Sequence, residues 1–286
     1  MQIQLEAPRS ATLDDLQEIS ELLNVVFRKE KDWDRELPWQ YIENPCGPAR
    51  YVNARNEDGR LIGHYAVIPV PRLKDEKFSH YRTFLSLNTA VHPDAQGKGI
   101  FKITAASLYQ DLGSQGPAMV LGVANANSIK GFIGSLGFYD LGRMDLRFYL
   151  PWQSPKVLPD RLLETDPAFL AWRSRRPGTR IVRDIRTGSL SRLIHHKGIP
   201  LEGILTHACE AGHLAPLKVP ARSLIQAPLR LYASSCPQEQ GGIPVPERLR
   251  PSPLHYICRP LPDENAAGLI NHLNSRRFEF LDFDVL

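Results

Sequence analysis

Cysteine is scarce in this sequence, and long apolar runs are missing. The four cysteines, Cys46, Cys209, Cys236 and Cys258, are scattered over 286 residues without a CxxC spacing. This pattern argues against a zinc site or a disulfide framework, so we expect reduced thiols and no metal. No stretch approaches the roughly 18 apolar residues of a membrane helix, and the first residues do not resemble a signal peptide. We therefore expect a cytoplasmic protein without membrane insertion.

An excess of charge of either sign is also missing. The chain has 35 basic and 31 acidic residues, a formal net charge of +4. This balance is too even to require a nucleic-acid partner, and we expect none. With 42% hydrophobic residues, the chain can supply the cores of two domains.

The first half of the chain alternates between helical and strand patterns. Apolar residues recur at helical spacing from Thr12 to Phe27, and "ARYVNARNEDGRLIGHYAVIPV" predicts a hairpin with its turn at Asp58-Gly59. "HYRTFLSLNTAV" predicts a strand, followed by a helix from Gly99 and a short buried strand, "PAMVLGVAN". "SIKGFIGSLGF" predicts a helix that stops at Gly137, and "RMDLRFYLP" predicts a closing strand. This order predicts an α/β (α+β) fold, with a mixed sheet flanked by helices in residues 1–152.

The second half, residues 153–286, contains a weak sequence repeat of the first. "LPWQYIENPCGPARYV" and "AFLAWRSRRPGTRIV" share a Trp, a following turn and a strand pattern. Residues 154–167 have the composition of a linker. We interpret the pattern as a duplicated unit whose second copy is smaller and degenerate.

A turn between the strand "SLNTAV" and the next helix contains Gln96, Gly97, Lys98 and Gly99. The first N–H groups of a helix have no partners within the helix and lie at the positive end of its dipole, so they attract anions. The glycines allow a ligand to approach the main chain, and the lysine adds charge. The phosphate-binding patterns GxxxxGK[ST] and GxGxxG are absent. The turn nevertheless predicts a pyrophosphate site.

Together, "VHPDAQGKGIF" and "GVANANSIKGFIGSLGF" resemble the GNAT acyltransferase superfamily, and "WQYIENPCGPARYVNARNEDGRLIGHYAVIPV" resembles a branch that often has a second GNAT-like half. The resemblance implies that acetyl-coenzyme A binds beside a strand that splays from its neighbour. Its pyrophosphate would lie on a loop made of Gln96, Gly97, Lys98, Gly99, Ile100 and Phe101. The main chain of Val91 and either Asn125 or Asn127 would contact the acyl-pantetheine arm. Phe101 departs from the family, which usually has Gly or Ala there.

The catalytic residues are less evident. The resemblance implies direct transfer to an amine, but the Tyr that often serves as general acid is replaced by Ile133. The central strand offers Ser86, Asn88 and Thr89, none of which is basic at neutral pH. The catalytic candidates are His64, Tyr65, Asn88, Ser128 and Tyr139.

Each of these residues has a structural alternative. A lone strand histidine is more often structural than catalytic, and His92 is expected in a loop or cap. Asn125 and Asn127 are also suited to capping the helix that begins near Ser128. Three aromatic residues are expected to pack at a core edge rather than to line an acceptor cleft: Trp39, Tyr41 and Trp172. Four arginines are expected on a solvated face rather than at a phosphorylated acceptor: Arg173, Arg175, Arg176 and Arg180.

The resemblance implies an N-acyltransferase that moves an acetyl group to a primary amine of a small molecule in a ternary complex. Analogy with polysaccharide biosynthesis favours an amino sugar or nucleotide-linked amino sugar, bound between the halves or beside the splayed strands. Two alternatives stay open: a non-catalytic coenzyme A-binding regulatory module, and an enzyme that uses a longer or carrier-bound acyl donor. The oligomeric state is also open, with a homodimer as one option.

Overall fold

The computed structural model describes residues 2–28, 32–153, 160–184, 189–196, 199–206, 221–222, 229–235, 241–250, 252–262 and 266–283. The helices are α1 Leu16–Val26, α2 Trp33–Leu37, α3 Ile100–Ser114, α4 Ile129–Leu136, α5 Pro167–Ser174 and α6 Ala266–Ser275. The strands are β1 Gln4–Leu5, β2 Arg9–Ser10, β3 Arg50–Arg55, β4 Leu61–Pro69, β5 Arg82–Val91, β6 Ala118–Ala124, β7 Tyr139–Arg143, β8 Asp145–Tyr149, β9 Ile181–Asp184, β10 Leu190–His196, β11 Ile199–Thr206, β12 Ala221–Arg222, β13 Arg230–Ser234, β14 Ile243–Pro244 and β15 His255–Leu261. None of the helices in these ranges is long and apolar enough to cross a membrane.

The strands form two mixed sheets with the same internal pattern. The first has the order β1-β3-β4-β5-β6-β15-β7, with β2 beside β3, and the second has the order β12-β9-β10-β11-β13-β8-β14. In each sheet three antiparallel strands lead to a central parallel pair, β5 with β6 and β11 with β13. The second sheet differs at its edge, where β12 pairs in parallel with β9. An antiparallel strand and an edge strand follow. The predicted mixed sheet and helices are confirmed, and the repeated pattern agrees with a duplicated unit.

The two halves of the chain exchange a strand. From the carboxy-terminal part, β15 lies between β6 and β7 in the first sheet, whereas β8 pairs with β13 in the second. The prediction that "RMDLRFYLP" closes the first sheet was therefore wrong, because β15 occupies the edge of β6. The division between residues 152 and 153 stays a prediction, and each sheet takes one strand from across it.

The individual elements agree with their sequence signals. The face of α1 that carries Leu16, Ile19 and Leu23 is buried. Gly59 in the β3–β4 turn and Gly137 at the end of α4 have φ angles of +79° and +65°, as expected for positions that favour glycine.

Part of the predicted linker belongs to the core. Residues 154–159 lie outside the described part of the chain. Leu162 and Leu163, however, have no exposed surface, and Leu163 pairs with Leu73 across a β-bridge. The linker prediction was wrong for these residues, since their apolar side chains join the core shared by both halves.

The prediction that the arginine cluster at the end of α5 forms a solvated face was wrong for two of its four residues. Arg175 and Arg180 are exposed, but Arg173 and Arg176 are only 6% and 7% exposed. The Arg173 Nε donates to the Leu281 carbonyl at 3.0 Å, and its guanidinium lies 5.2 Å from the ring centre of Trp172. Arg176 pairs with Glu36 at 3.2 Å. Both buried arginines have partners within the protein, which offset part of the cost of burying their charges.

Candidate active site

The strands β5 and β6 run together and then part. Their parallel pairing extends from Arg82 and Ala118 to Leu85 and Leu121 and stops there. Beyond that point β5 continues to Val91, paired only with β4, and β6 pairs only with β15. The expected splay is therefore present, and the main chain from Ser86 onward faces a gap rather than a neighbouring strand.

A short turn connects the end of β5 to α3. His92 is 7% exposed, and its Nδ1 accepts from the Asp94 N–H at 3.2 Å, so its predicted capping role is confirmed. The exposed glycines Gly97 and Gly99 have φ angles of +76° and +75°. A Cβ at either position would meet no atom within 4 Å. The backbone conformation, rather than crowding, therefore favours glycine at both positions.

Several N–H groups of this turn have no acceptor within the protein. Among the described residues, the amides of Gly97, Gly99, Ile100, Phe101 and Lys102 donate no hydrogen bond, and the first bond of the helix runs from Ile103 to the Gly99 carbonyl at 3.1 Å. The 15-residue α3 directs the positive end of its dipole to the same place. The exposed side chain of Lys98 adds positive charge. This arrangement can bind a phosphate or pyrophosphate.

The side chain of Phe101 points away from this turn. Its ring lies 5.1 Å from the ring of Phe132, and a Cβ at Gly131 would come within 2.7 Å of it. Phe101 thus packs between α3 and α4, where Gly131 provides the room. The departure from the family pattern leaves the Phe101 amide accessible to a ligand.

The start of α3 sits directly on β4. A Cβ at Gly63 would lie 2.2 Å from Cγ2 of Ile100, and Gly63 pairs with Val91 at the end of β5. The missing side chain lets the helix approach the strand where the turn begins. Gly63 therefore helps to set the position of the unpaired amides.

Asn88 lies in a β-bulge beside the gap. The register between β4 and β5 shifts between His64 and Ala66, so that Tyr65 faces both Asn88 and Thr89. Asn88 has a φ of +49°, and its side-chain amide donates to Gln40 Oε1 at 2.6 Å and Tyr41 Oη at 3.2 Å. Both amide hydrogens are therefore used, and among the described residues no donor reaches Oδ1, which can accept a hydrogen bond.

His64 is held in one tautomer behind Asn88. Its Nδ1 lies 2.8 Å from Asn53 Oδ1, an acceptor, and must carry the proton. Its Nε2 can then accept from the Tyr41 hydroxyl at 2.9 Å. Burial lowers the pKa of His64 to about 3, and its side chain is 1% exposed. A catalytic role for His64 stays a prediction, and this environment favours a neutral structural histidine.

Tyr65 and Ser86 lie together on the α3 side of the sheet. The Tyr65 hydroxyl donates to Ser86 Oγ at 2.8 Å and also contacts the Tyr109 hydroxyl. Burial raises the pKa of Tyr65 to about 12, so it is a neutral hydroxyl at physiological pH. Ser86 is half-buried, and its Cβ would lie 3.7 Å from a Cβ placed at Gly122 on β6. The serine thus faces the gap between the strands.

Asn125 and Ser128 are hydrogen-bonded to each other at the end of β6. The Asn125 Oδ1 accepts from the N–H groups of Asn127 and Ser128, both at 3.0 Å, and Ser128 Oγ accepts from the Asn125 N–H at 3.1 Å. Asn125 therefore closes the turn that leads into α4, whose N-cap residue is Ser128. Both asparagines are exposed beside the gap, and their contact with a cofactor stays a prediction.

Tyr139 is more distant from the gap. It pairs with Cys258, which pairs with Leu121 of β6, so two strand spacings, about 10 Å, separate it from that strand. Ile133, where the family often has a Tyr, is 37% exposed on α4.

Sequence reasoning missed Gln40 and Asn53 as partners of Asn88 and His64, because nothing in a single sequence links positions on separate elements.

The second sheet has no equivalent gap in its described part. Beyond the parallel pairing of β11 and β13, the segment from Glu279 to Leu281 lies between the strand ends, with the Leu281 N–H donating to the Leu205 carbonyl at 3.0 Å. The fully buried Glu279 accepts from Thr206 Oγ1 at 2.6 Å and Tyr232 Oη at 2.7 Å. The protein's own residues thus occupy the place that is open in the first sheet.

No group of three or more His, Cys, Asp or Glu side chains in the described ranges is placed to hold a metal ion.

Residues 7–139 match the family described as an acetyltransferase (GNAT) domain. No curated protein matches the chain.

Two solved structures resemble most of the chain. A GCN5-related N-acetyltransferase from Anabaena variabilis has 12% identity and a TM-score of 0.54, over 90% of this chain and 72% of its own. A conserved protein of unknown function from Enterococcus faecalis, named a probable N-acyltransferase, has 11% identity and a TM-score of 0.52, over 91% and 73% of the two chains. At this identity the likeness establishes a shared fold.

Proposed function

We propose that this protein transfers an acetyl group from acetyl-coenzyme A to a primary amine of a small molecule, because residues 7–139 match the family described as an acetyltransferase (GNAT) domain. The two substrates meet in a ternary complex, where the amine attacks the thioester directly. The observation that supports this most is the set of unpaired amides at the start of α3, next to the parted strands β5 and β6.

The residues of the turn fit the diphosphate of coenzyme A. The amides of Gly97, Gly99, Ile100, Phe101 and Lys102 supply donors, and the helix dipole and Lys98 supply positive charge. The main chain of β5 from Ser86 to Val91 lies open toward the gap and can align the pantetheine arm. Bound acetyl-coenzyme A supplies the activated acetyl group.

Asn88 is suited to position the acceptor amine. Its amide nitrogen is engaged by Gln40 and Tyr41, so its Oδ1 is the atom that can accept a hydrogen bond from the attacking nitrogen. Tyr41, backed by His64 and Asn53, keeps the amide from flipping. Tyr65 can donate a hydrogen bond to Ser86 at the gap, because its raised pKa keeps the hydroxyl protonated at physiological pH.

Calorimetry with acetyl-coenzyme A tests the binding site. We expect the native chain to bind and Gly99→Glu to lose affinity by at least about a hundredfold, because the new carboxylate repels the diphosphate. Gly59→Glu is the matched control, since Gly59 has a similar φ of +79° and equal space around it. Equal affinity in all three proteins would refute the assignment of the loop.

A coenzyme A release assay tests the role of Asn88. We expect Asn88→Leu to lower kcat/KM by about 10 to 100-fold while the affinity for acetyl-coenzyme A stays unchanged. Asn88→Asp retains an acceptor oxygen but places a carboxylate against Gln40 Oε1, so it should restore only part of the activity. Unchanged kinetics in Asn88→Leu would remove Asn88 from the mechanism.

For the acceptor, we propose an amino sugar or nucleotide-linked amino sugar, on the resemblance to polysaccharide-assembly enzymes alone. The buried Arg173 and Arg176 do not offer a phosphate site, because Leu281, the aromatic rings and Glu36 already engage them. The release assay should therefore include free amino sugars, nucleotide-linked amino sugars, polyamines and peptide amino termini. Turnover of peptides alone would replace the sugar proposal.

A non-catalytic coenzyme A-binding module is the second candidate. The exposed Ile133 in place of a Tyr, and the buried neutral His64, favour it. Such a module would bind acetyl-coenzyme A and release no coenzyme A above background with any amine. Because Phe101 packs against Phe132 rather than toward the gap, it gives no support to a longer acyl donor.

A further inference from the structure

A cavity lies at the opposite end of the first sheet from the α3 turn. It has a volume of about 500 Å³ and is lined by the end of β4, the start of β5, the segment 46–48, and two residues before α5, Glu164 and Asp166. From Thr83 in this cavity to Val91 the strand spans eight residues, or about 26 Å at the usual rise. The cavity is therefore separate from the proposed acyl-transfer site.

One wall of the cavity is cationic. Arg82 donates to the carbonyls of Leu112 and Gly116 at 2.5 and 3.0 Å and to Gln115 Oε1 at 3.4 Å, and Asp111, the partner of Arg50, also attracts its charge. Arg50 pairs with Asp111 at 2.5 Å, but its buried Nε has no hydrogen-bond acceptor. Arg72 is exposed at the rim. Burial and the like charge of Arg50 lower the pKa of Arg82.

The part of the cavity lined by the residues before α5 is an anionic wall. Asp166 Oδ1 accepts from the N–H groups of Ala168 and Phe169 at 2.7 and 3.0 Å, which fixes this carboxylate at the start of α5. Glu164 is exposed, and no ion pair involves it among the described residues. Its backbone N–H donates to the Arg72 carbonyl at 2.8 Å, so the two walls join there.

The charges of the two walls determine which kind of ligand is complementary to the cavity. A simple anion would be attracted by Arg82 and repelled by Glu164 and Asp166, and a simple cation would meet the reverse. A molecule that carries both charges on separate atoms is complementary to both walls. A cavity of this size is within the range of small-molecule sites. We propose that it binds a free α-amino acid, with the carboxylate toward Arg82 and Arg50 and the ammonium toward Glu164 and Asp166.

Cys46 provides a local readout, because it is half-buried and lines the cavity. Its alkylation by iodoacetamide can be followed by peptide mass spectrometry in the presence of each of the common L-amino acids. We expect at least one amino acid to slow the reaction and to bind in calorimetry. The N-acetyl derivative and the methyl ester of that amino acid, which each lack one charge, should bind at least about tenfold more weakly.

Variants separate this proposal from the acyl-transfer site. Arg82→Gln and Glu164→Gln should each weaken amino-acid binding by at least about tenfold, whereas Gly99→Glu should leave it unchanged. Because Arg82 also caps α3, the exposed Arg72→Gln is the second cationic variant. The proposal is overturned if no amino acid binds, if the N-acetyl derivative or the methyl ester binds equally well, or if binding is lost only in Gly99→Glu.

Discussion

Trp39 and Trp172 are joined by a reciprocal pair of hydrogen bonds. The indole N–H of Trp39 donates to the Trp172 carbonyl at 3.0 Å, and that of Trp172 donates to the Trp39 carbonyl at 2.8 Å. Their rings stack with centres 4.6 Å apart, 16° from parallel. The two tryptophans occupy equivalent positions in the two segments of the sequence repeat, so this contact joins the two halves of the chain symmetrically.

The tryptophan pair should contribute measurably to stability. Trp39→Phe and Trp172→Phe each leave a buried carbonyl without its donor, and we expect each to lower the free energy of unfolding by about 1–3 kcal/mol. Urea unfolding of the single and double variants gives their coupling. Trp152→Phe, at a position 68% exposed, should change stability by less than about 0.5 kcal/mol. Additive effects of the two buried variants would contradict the reciprocal contact.

His64 should stay neutral well below its ordinary pKa. We expect a ¹H–¹⁵N spectrum of the histidine rings to show His64 protonated on Nδ1 alone from pH 8 to pH 5, because burial lowers its pKa to about 3. Uptake of a proton by His64 in this range would contradict the buried network.

The same shift predicts how stability depends on pH. The native pKa of His64 lies below the unfolded value of 6.5, so below that pH the unfolded chain takes up a proton that the native state does not. As the pH is lowered below 6.5, the free energy of unfolding should decrease, by up to about 1.4 kcal/mol per pH unit from this group. In urea unfolding between pH 7.5 and 5, His64→Gln should show a shallower dependence than the native chain.

Gly63 should be required for the position of α3. Gly63→Ala places a Cβ 2.2 Å from Ile100 Cγ2, so we expect a loss of about 1–3 kcal/mol of stability and weaker binding of acetyl-coenzyme A. In the double variant Gly63→Ala/Ile100→Ala the clash is absent. The double variant should therefore bind more tightly than Gly63→Ala, as calorimetry can measure. Full affinity in Gly63→Ala alone would show that the helix start tolerates displacement.

A chain ending at Gln153 should fail to fold cooperatively. It would lack β15, which pairs with β6 from Ala118 to Ala124 and with β7, and would expose the apolar edge of β6. Thermal unfolding followed by circular dichroism should show no sharp transition, in contrast to the full chain. A cooperative transition would instead support an independent domain that ends near residue 152.

Local signals predicted the elements of the first half well. Thr12 to Phe27, the Asp58-Gly59 turn and the stop at Gly137 depend on contacts between near neighbours in sequence, and all three are confirmed. The turn from Gln96 to Gly99 was recognisable for the same reason, since its chemistry depends on backbone amides and a helix start. The burial of Leu162, Leu163, Arg173 and Arg176 was not predictable, because it depends on partners distant in sequence.

The sequence by itself determined most helices and strands of the first half and the glycine-containing turn before α3, because each arises from the periodicity and backbone preferences of adjacent residues. Only the tertiary structure decided that β8 and β15 change sheets, that Tyr41 and Asn53 fix His64, and that Glu279 to Leu281 lie between the strands of the second half. These arrangements depend on pairing and desolvation between distant segments, and one sequence contains no local pattern that specifies them.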